Sequence, residues 1–270
     1  MIDHGAETTY ADPARSLIGA PPLRFVATLL LIALVYGLSF WFVDFDVHRL
    51  WTGLPKLAHW AAKAWPPDLH DLVVLTTRAL ETVAMAVLGT TIGALLAAPC
   101  CILAARNLAP SPMLYTPVRW FLNALRGIDS FVFALLFVAA VGLGPFAGVL
   151  GVGLHSAGSI AKLWSEAIEA VEPGPLEAAA LTGSNRLKVI SYALLPDVLP
   201  NLTSITLYVW EFNVRASTVL GVVGAGGIGQ ELKNSVDLLD FARLLTIILI
   251  ILAMVTVIDQ FSAWLRRRLV

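Results

Sequence analysis

Residues 130–161 read SFVFALLFVAAVGLGPFAGVLGVGLHSAGSIA, 32 positions with no acidic residue, lysine or arginine. A bilayer core about 30 Å thick takes about 20 apolar residues per helix. Every backbone N–H and C=O must also be paired within the crossing segment. The stretch is therefore long enough for the membrane and too long for one crossing. Near its middle stands Gly142-Leu143-Gly144-Pro145, residues that end helices, so two spans are expected. Working outward, further candidate spans are the uncharged runs 25–43 and 82–105, the stretch from 198 to about 220 that passes through Glu211 and Arg215, and 241–264. The count is about six.

The composition agrees. Hydrophobic residues make up 58% of the 270, charged residues 14%, and the mean hydropathy is +0.79, which leaves too little polar surface for a soluble globule of this size. An all-α membrane protein is expected. Cys100 and Cys101 are adjacent within an apolar run, so they read as packing residues and not as a disulfide framework or metal pair. Residues 1–23 are polar, carry Asp3, Glu7 and Asp12, and lack the basic start and cleavage site of a signal peptide. They are expected to remain as a cytoplasmic tail before a membrane domain at 24–270.

Charge placement sets the orientation, because lysine and arginine accumulate in inner connections. With the N-terminus inside, the inner segments hold Arg15, Arg24, Arg106, Arg119, Arg126, Lys162, Arg186, Lys188 and Arg266 to Arg268. The outer ones hold Arg49, Lys56, Lys63 and Lys233. Both termini are then cytoplasmic. The outer connection 44–72 has Trp51, Trp60 and Trp65 among prolines, with Trp41 just before it. It reads as a segment lying at the lipid–water interface, with a docking surface as the alternative.

The longest polar stretch between spans is on the inner side, and its core at 174–196 reads GPLEAAALTGSNRLKVISYALLP. Pro175 suits a first helical turn and Glu177 a helix N-terminus. Gly183 suits a C-terminal stop, and Ser184 can cap a second helix in which Leu187, Ile190 and Leu194 share a face. Spacing alone does not separate a force-bearing helix pair from an ordinary amphipathic loop. The stretch, however, closely resembles the EAA motif of binding-protein-dependent ABC importer permeases: Glu177-Ala178-Ala179, Gly183 and Leu195-Pro196 fall at the motif positions, while Ala193 stands where the family has isoleucine or a similar residue.

The resemblance implies a type I ABC importer permease, with a core at about 75–265. It implies a coupling segment in which Glu177, Ala178, Ala179, Thr182, Gly183, Leu187 and Pro196 dock on a separate ATPase. It also implies two ATPase copies holding ATP and Mg, an extracytoplasmic binding protein, a second permease copy in a homodimer, and no cofactor on this chain. Three further stretches, 142–150, 211–221 and 223–229, resemble the phosphonate permease branch. That branch implies phosphonate, phosphate or phosphite as cargo and a place in the cell's inner membrane. No nucleic-acid partner is expected.

Charges at bilayer depth are expensive, so Glu81, Arg126, Asp129, Glu211, Asn213 and Arg215 call for a role. Glu211 and Arg215 are one helical turn apart and suit an ion pair, which either locks helices or serves the path. Arginines match tetrahedral oxyanions, so Arg126 and Arg215 are candidate lining residues, with Asp129 as the expected partner of Arg126. Arg126 also suits an interfacial anchor.

Gly224 to Gly229 formally match the dinucleotide-binding pattern GxGxxG. The pattern needs a strand before it and a helix after it, whereas helix-compatible residues precede this one and a span is expected to follow. A turn at the outer end of the fifth span fits better, with Gly226 and Gly227 as gate candidates. No phosphate-binding GxxxxGK[ST] loop, HExxH or GxSxG occurs, so any ATPase is another chain. Two alternatives stand beside the importer: an intramembrane enzyme using Glu81, Asp129 or Glu211, and a passive channel or structural membrane subunit.

Overall fold

The computed structural model describes residues 23–109 and 111–269. All but the last residue of the expected tail at 1–23 lies outside the described residues. Those residues form eleven α-helices and no strand, in two compact units, 1–59 and 60–270.

The first unit contains α1 (Leu23–Phe42) and most of α2 (Val47–Lys63). The α1 helix is apolar on all sides from Phe25 onward and buries none of its span, as a helix surrounded by lipid would. In α2, Val47, Leu50, Leu54, Leu57 and Ala61 fall on one side and Arg49, Thr52, Lys56 and Lys63 on the other, at 3.6-residue spacing. None of these is buried. The arrangement is that of a helix lying in an interface plane, the pattern expected for the 44–72 connection.

The second unit is organised around α3 (Leu72–Ala104) and α6 (Pro145–Glu169). Within lipid there is no hydrophobic gain in bringing apolar helices together, so contact depends on how closely the backbones approach. Gly89 and Gly93, one turn apart on α3, provide that approach. A methyl at Gly89 would lie 2.6 Å from Val152 Cγ1, and one at Gly93 would lie 2.6 Å from Ser156 Cβ. Against this pair pack α4 (Pro112–Gly127), α5 (Ser130–Val141) and α9 (Leu195–Leu220), burying Met85, Leu122, Val152, Ile160, Val209 and Leu220. Two short helices, α7 (Pro173–Leu181) and α8 (Arg186–Val189), and a π turn at Ile190–Leu194 connect α6 to α9. Beyond α9, α10 (Ile228–Asp237) leads into α11 (Phe241–Leu269), joined to α3 through Leu75, Ile228 and Ile247.

The spans differ from expectation in three ways. First, α3 starts ten residues before the uncharged run at 82, because Arg78 and Glu81 pair on its surface and do not interrupt the helix. Second, the run 130–161 is not two full crossings. With 12 residues, α5 is about 18 Å long at 1.5 Å per residue, short of a bilayer core. It is bent by 85° from α4, and the two pass the length and composition test only when taken together. Third, α9 has 26 residues but carries Asp197, Glu211, Asn213 and Arg215, so it is not among the four helices that qualify for a membrane by both length and composition. The described residues therefore hold four such helices, five with the bent pair.

Candidate functional site: the cytoplasmic-type segment and the buried polar groups

Two prolines, Pro173 and Pro175, preset the first turn of α7. The helix opens two residues before Pro175, so Glu177 stands one turn in and not at the N-terminus as expected. Gly183, at φ +77°, ends the helix in the left-handed conformation that favours glycine. Ser184 does not cap the next helix. Its hydroxyl lies 3.0 Å from that of Thr182, and the Asn185 carboxamide oxygen accepts from Lys188 N at 2.9 Å instead. Thr182 Oγ1 also donates to Ala179 O at 2.8 Å, tying the corner together.

The underside of this segment is anchored and its outer side is bare. Leu176, Ile190 and Leu194 join a cluster with Cys101 and Ala105 of α3, Ile168 of α6, and Val198 and Leu202 of α9. Glu177, Ala178 and Thr182 are exposed, while Leu181 is 88% and Tyr192 82% accessible. The backbone of Leu187 falls within α8; its side chain lies outside the described residues. Pro196 sits in the first turn of α9.

The path candidates fall into separate places. Asp129 is exposed and caps α5, accepting from Phe131 N at 2.8 Å. Arg126 is exposed and makes no ion pair among the described residues, so the expected Arg126–Asp129 pair is absent and the cap takes its place. Glu211 and Arg215 do pair, at 3.0 Å, and α11 extends the pair: Arg266 reaches Glu211 at 3.1 Å and Arg215 reaches Asp259 at 3.3 Å. The four charges cancel, and they tie α9 to α11.

Asn213 points elsewhere and is fully buried. Its Nδ2 donates to Thr90 Oγ1 at 2.8 Å and Ser156 Oγ at 2.7 Å, joining α9 to α3 and α6, while its Oδ1 has no partner.

Gly226 and Gly227 lie in a tight turn at φ +78° and +72°, preceded by a 3₁₀ turn, Gly221–Val223, and followed by α10 and not directly by a span. A methyl at Gly226 would come 3.0 Å from Glu81 Oε1, and one at Gly227 would come 2.5 Å from Thr82 Oγ1. That hydroxyl accepts from Ile228 N at 2.9 Å.

Two ionic groups escaped the sequence. At one end, Arg119 pairs with Glu169 at 3.0 Å. Glu169 also accepts from Arg106 N at 2.7 Å, and Tyr115 Oη accepts from both arginines. At the other end, Arg78 pairs with Glu81 at 2.7 Å and Arg243 with Glu231 at 3.0 Å and Asp71 at 3.4 Å. The Arg78–Glu81 spacing is a helical i,i+3 signal; the remaining contacts span distances no local pattern encodes.

The chain belongs to the family described as binding-protein-dependent transport system inner membrane component, whose profile matches residues 79–270. Two chains of Stutzerimonas stutzeri named for phosphite transport systems resemble it: HtxC is 48% identical over 243 residues (90% of this chain, 86% of that one), and PtxC is 42% identical over 240 residues (87% of each). The phosphate-import permease protein PhnE of Mycolicibacterium smegmatis is 43% identical over 206 residues, 76% of this chain and 39% of its own length. An inward-facing structure of the MetNI methionine ABC transporter superimposes with a TM-score of 0.66 at 22% identity, covering 74% of this chain and 97% of that one.

The chain is thus an ABC importer permease of the inner-membrane component family, a multi-pass and non-catalytic subunit that works with a separate ATPase and a binding protein.

Proposed function

We propose that this permease imports a phosphorus oxyanion, namely phosphite, phosphate or a phosphonate, and that residues 174–196 receive the stroke of the ATPase. The single observation that carries the coupling assignment is the contrast within that segment: Leu176, Ile190 and Leu194 are fixed on the core, while Glu177, Ala178, Leu181 and Thr182 face outward. A push on the outer face of a segment built this way reaches the core helices through Leu176, Ile190 and Leu194. The cargo assignment follows the names of HtxC, PtxC and PhnE.

In this reading two copies of the chain form a homodimer with the path between them, both termini are cytoplasmic, and two ATPase copies hold ATP and Mg. ATP binding draws the ATPases together, pushes the two coupling segments inward and opens the path outward; hydrolysis resets it. Arg126, Asp129, Glu211, Asn213, Arg215, Gly226 and Gly227 remain the path and gate candidates. Of these, the neutral Glu211–Arg215–Asp259–Arg266 group offers an anion a guanidinium that is already occupied, which suits weak and transient contact. Selectivity then rests with the binding protein.

The test is uptake of labelled phosphite, phosphate and methylphosphonate into proteoliposomes holding this chain, its ATPase and its binding protein. Accumulation of one of the three only with internal ATP is expected. ATP-independent leakage would support a passive channel and refute the reading.

A further inference from the structure

The joint between the coupling segment and α9 has an unusual construction. Leu195 N donates to Ile190 O, an i→i−5 bond, and the chain passes through one π turn before α9 begins. The cause is local. Pro196 has no N–H for Tyr192 O, and in a regular helix its ring would press on that carbonyl. Widening the preceding turn to i→i−5 relieves the clash, and such single turns interrupt helices where direction changes. Pro200 repeats the loss one turn later, within α9.

Beneath this turn lies a cavity of about 180 Å³. Its walls are Cys101 of α3, Trp164 and Ile168 of α6, and Leu202 of α9, and its roof is Ile190 and Leu194 of the π turn itself. Trp164 is held in place, its Nε1 donating to Leu202 O at 3.0 Å. The void is half-open, with exposed Ile102 and Leu195 at its rim, and the side chains that face it lack packing contacts to resist motion, whereas a close-packed interior moves only as a block. The roof is the one wall whose helix is already broken.

We propose that the π turn Ile190–Leu194 is a hinge, and that the cavity is the space into which it travels when the coupling segment is pushed. The inference rests on the coupling reading of residues 174–196 and adds where the displacement is absorbed and redirected into α9. Rotation about the turn converts movement of α7 and α8 into a tilt of α9, the helix that carries Glu211, Asn213 and Arg215. A filled cavity locks the joint and disconnects ATP hydrolysis from transport.

Cys101 lines the void and is buried, so it is the place to alter it. Two variants in the full complex separate volume from chemistry: Cys101→Leu fills the cavity and Cys101→Ala enlarges it. Uptake is expected to fall roughly tenfold in Cys101→Leu, with ATP hydrolysis continuing, and to stay within about twofold in Cys101→Ala. Normal uptake in Cys101→Leu, with xenon binding to the cavity shown to be lost, overturns the hinge. So does equal loss in both variants, which would assign the role to the thiol. If Cys101→Leu fails to reach the membrane, hydrogen exchange on the unaltered complex decides. Amides between Ser191 and Leu195 are expected to exchange at clearly different rates in the nucleotide-free and vanadate-trapped states, and equal rates overturn the proposal. Glu177→Lys run in parallel distinguishes the two ideas. If it abolishes coupling while Cys101→Leu does not, only the hinge falls; if neither does, the coupling reading falls with it.

Discussion

Two connections in this molecule turn on glycines at positive φ, and they are built in opposite ways. Around Gly183 nothing lies within 4 Å of where a Cβ would be, α7 presents Ala178, Ala180 and Leu181 outward, and the π turn beyond α8 presents Tyr192. Around Gly224 to Gly229 the backbone is closed in. Glu81, Thr82 and Pro145 press on the turn, and a methyl at Gly229 would run into the Thr218 carbonyl. Of the two, the first corner is open to its surroundings, whereas the second is closed in by the chain itself. An open corner and a closed one thus use the same residue type, and the surrounding space distinguishes them.

The contrast can be broken by mutation. Gly229→Ala is expected to have the largest effect on the folded state, at least about 3 kcal/mol, because backbone and not a flexible side chain must move. A thermal melt of the purified chain checks it, and a variant that melts like the parent would show that the turn is looser than described. Glu177→Lys is expected to leave the melt unchanged and Gly183→Asp to lower stability by about 1 kcal/mol, the strain of a side chain at positive φ, while uptake falls roughly thirtyfold in both, the cost of spoiling the centre of a docking surface. Normal uptake in both variants would count against the coupling assignment.

Smaller effects test the groups between these two connections. Asn213→Leu is expected to lower stability by about 2 kcal/mol, since two hydrogen bonds between helices are lost, each averaging below about 1 kcal/mol in a membrane, and leucine, branched alike but larger, must be fitted into a fully buried site. Glu211→Gln should change stability by less than about 1 kcal/mol, because Arg215 keeps Asp259 as partner. If uptake falls more than tenfold in that variant with the melt unmoved, the ionic group belongs to the path; if uptake holds, it is a brace between α9 and α11.

Much of this architecture is legible in the sequence where a signal is local. Uncharged runs locate α1, α3, α6 and α11, the i,i+4 spacing announces Glu211–Arg215, and Gly183 marks its helix end. The misreadings arise where distant contacts decide. Asp129 serves a backbone N–H two residues away and not Arg126, since an exposed helix start with a free amide offers a closer partner. A bend of 85° that no run length shows separates α5 from α4, and His155 Nδ1 of α6 lies 2.9 Å from Ile128 O at that bend. The group of Arg78, Glu231 and Arg243 joins α3 to α10 and α11, which lie far from it in the chain, and only folding assembles it.

The length of α3 changes what some of these charges cost. Its 33 residues extend about 50 Å, some 20 Å beyond a bilayer core. If the hydrocarbon begins at Ala104, next to the arginine-rich end, about 20 residues reach its far edge near position 84. Arg78 and Glu81 would then stand clear of the lipid on a stalk of helix, with Asp71, Glu231 and Arg243 around them. With the lipid edge there, Glu81 is a charge in water whose presence calls for no transport role, and the excess length of the helix carries the Gly226–Gly227 turn, which rests on Thr82, at the membrane surface.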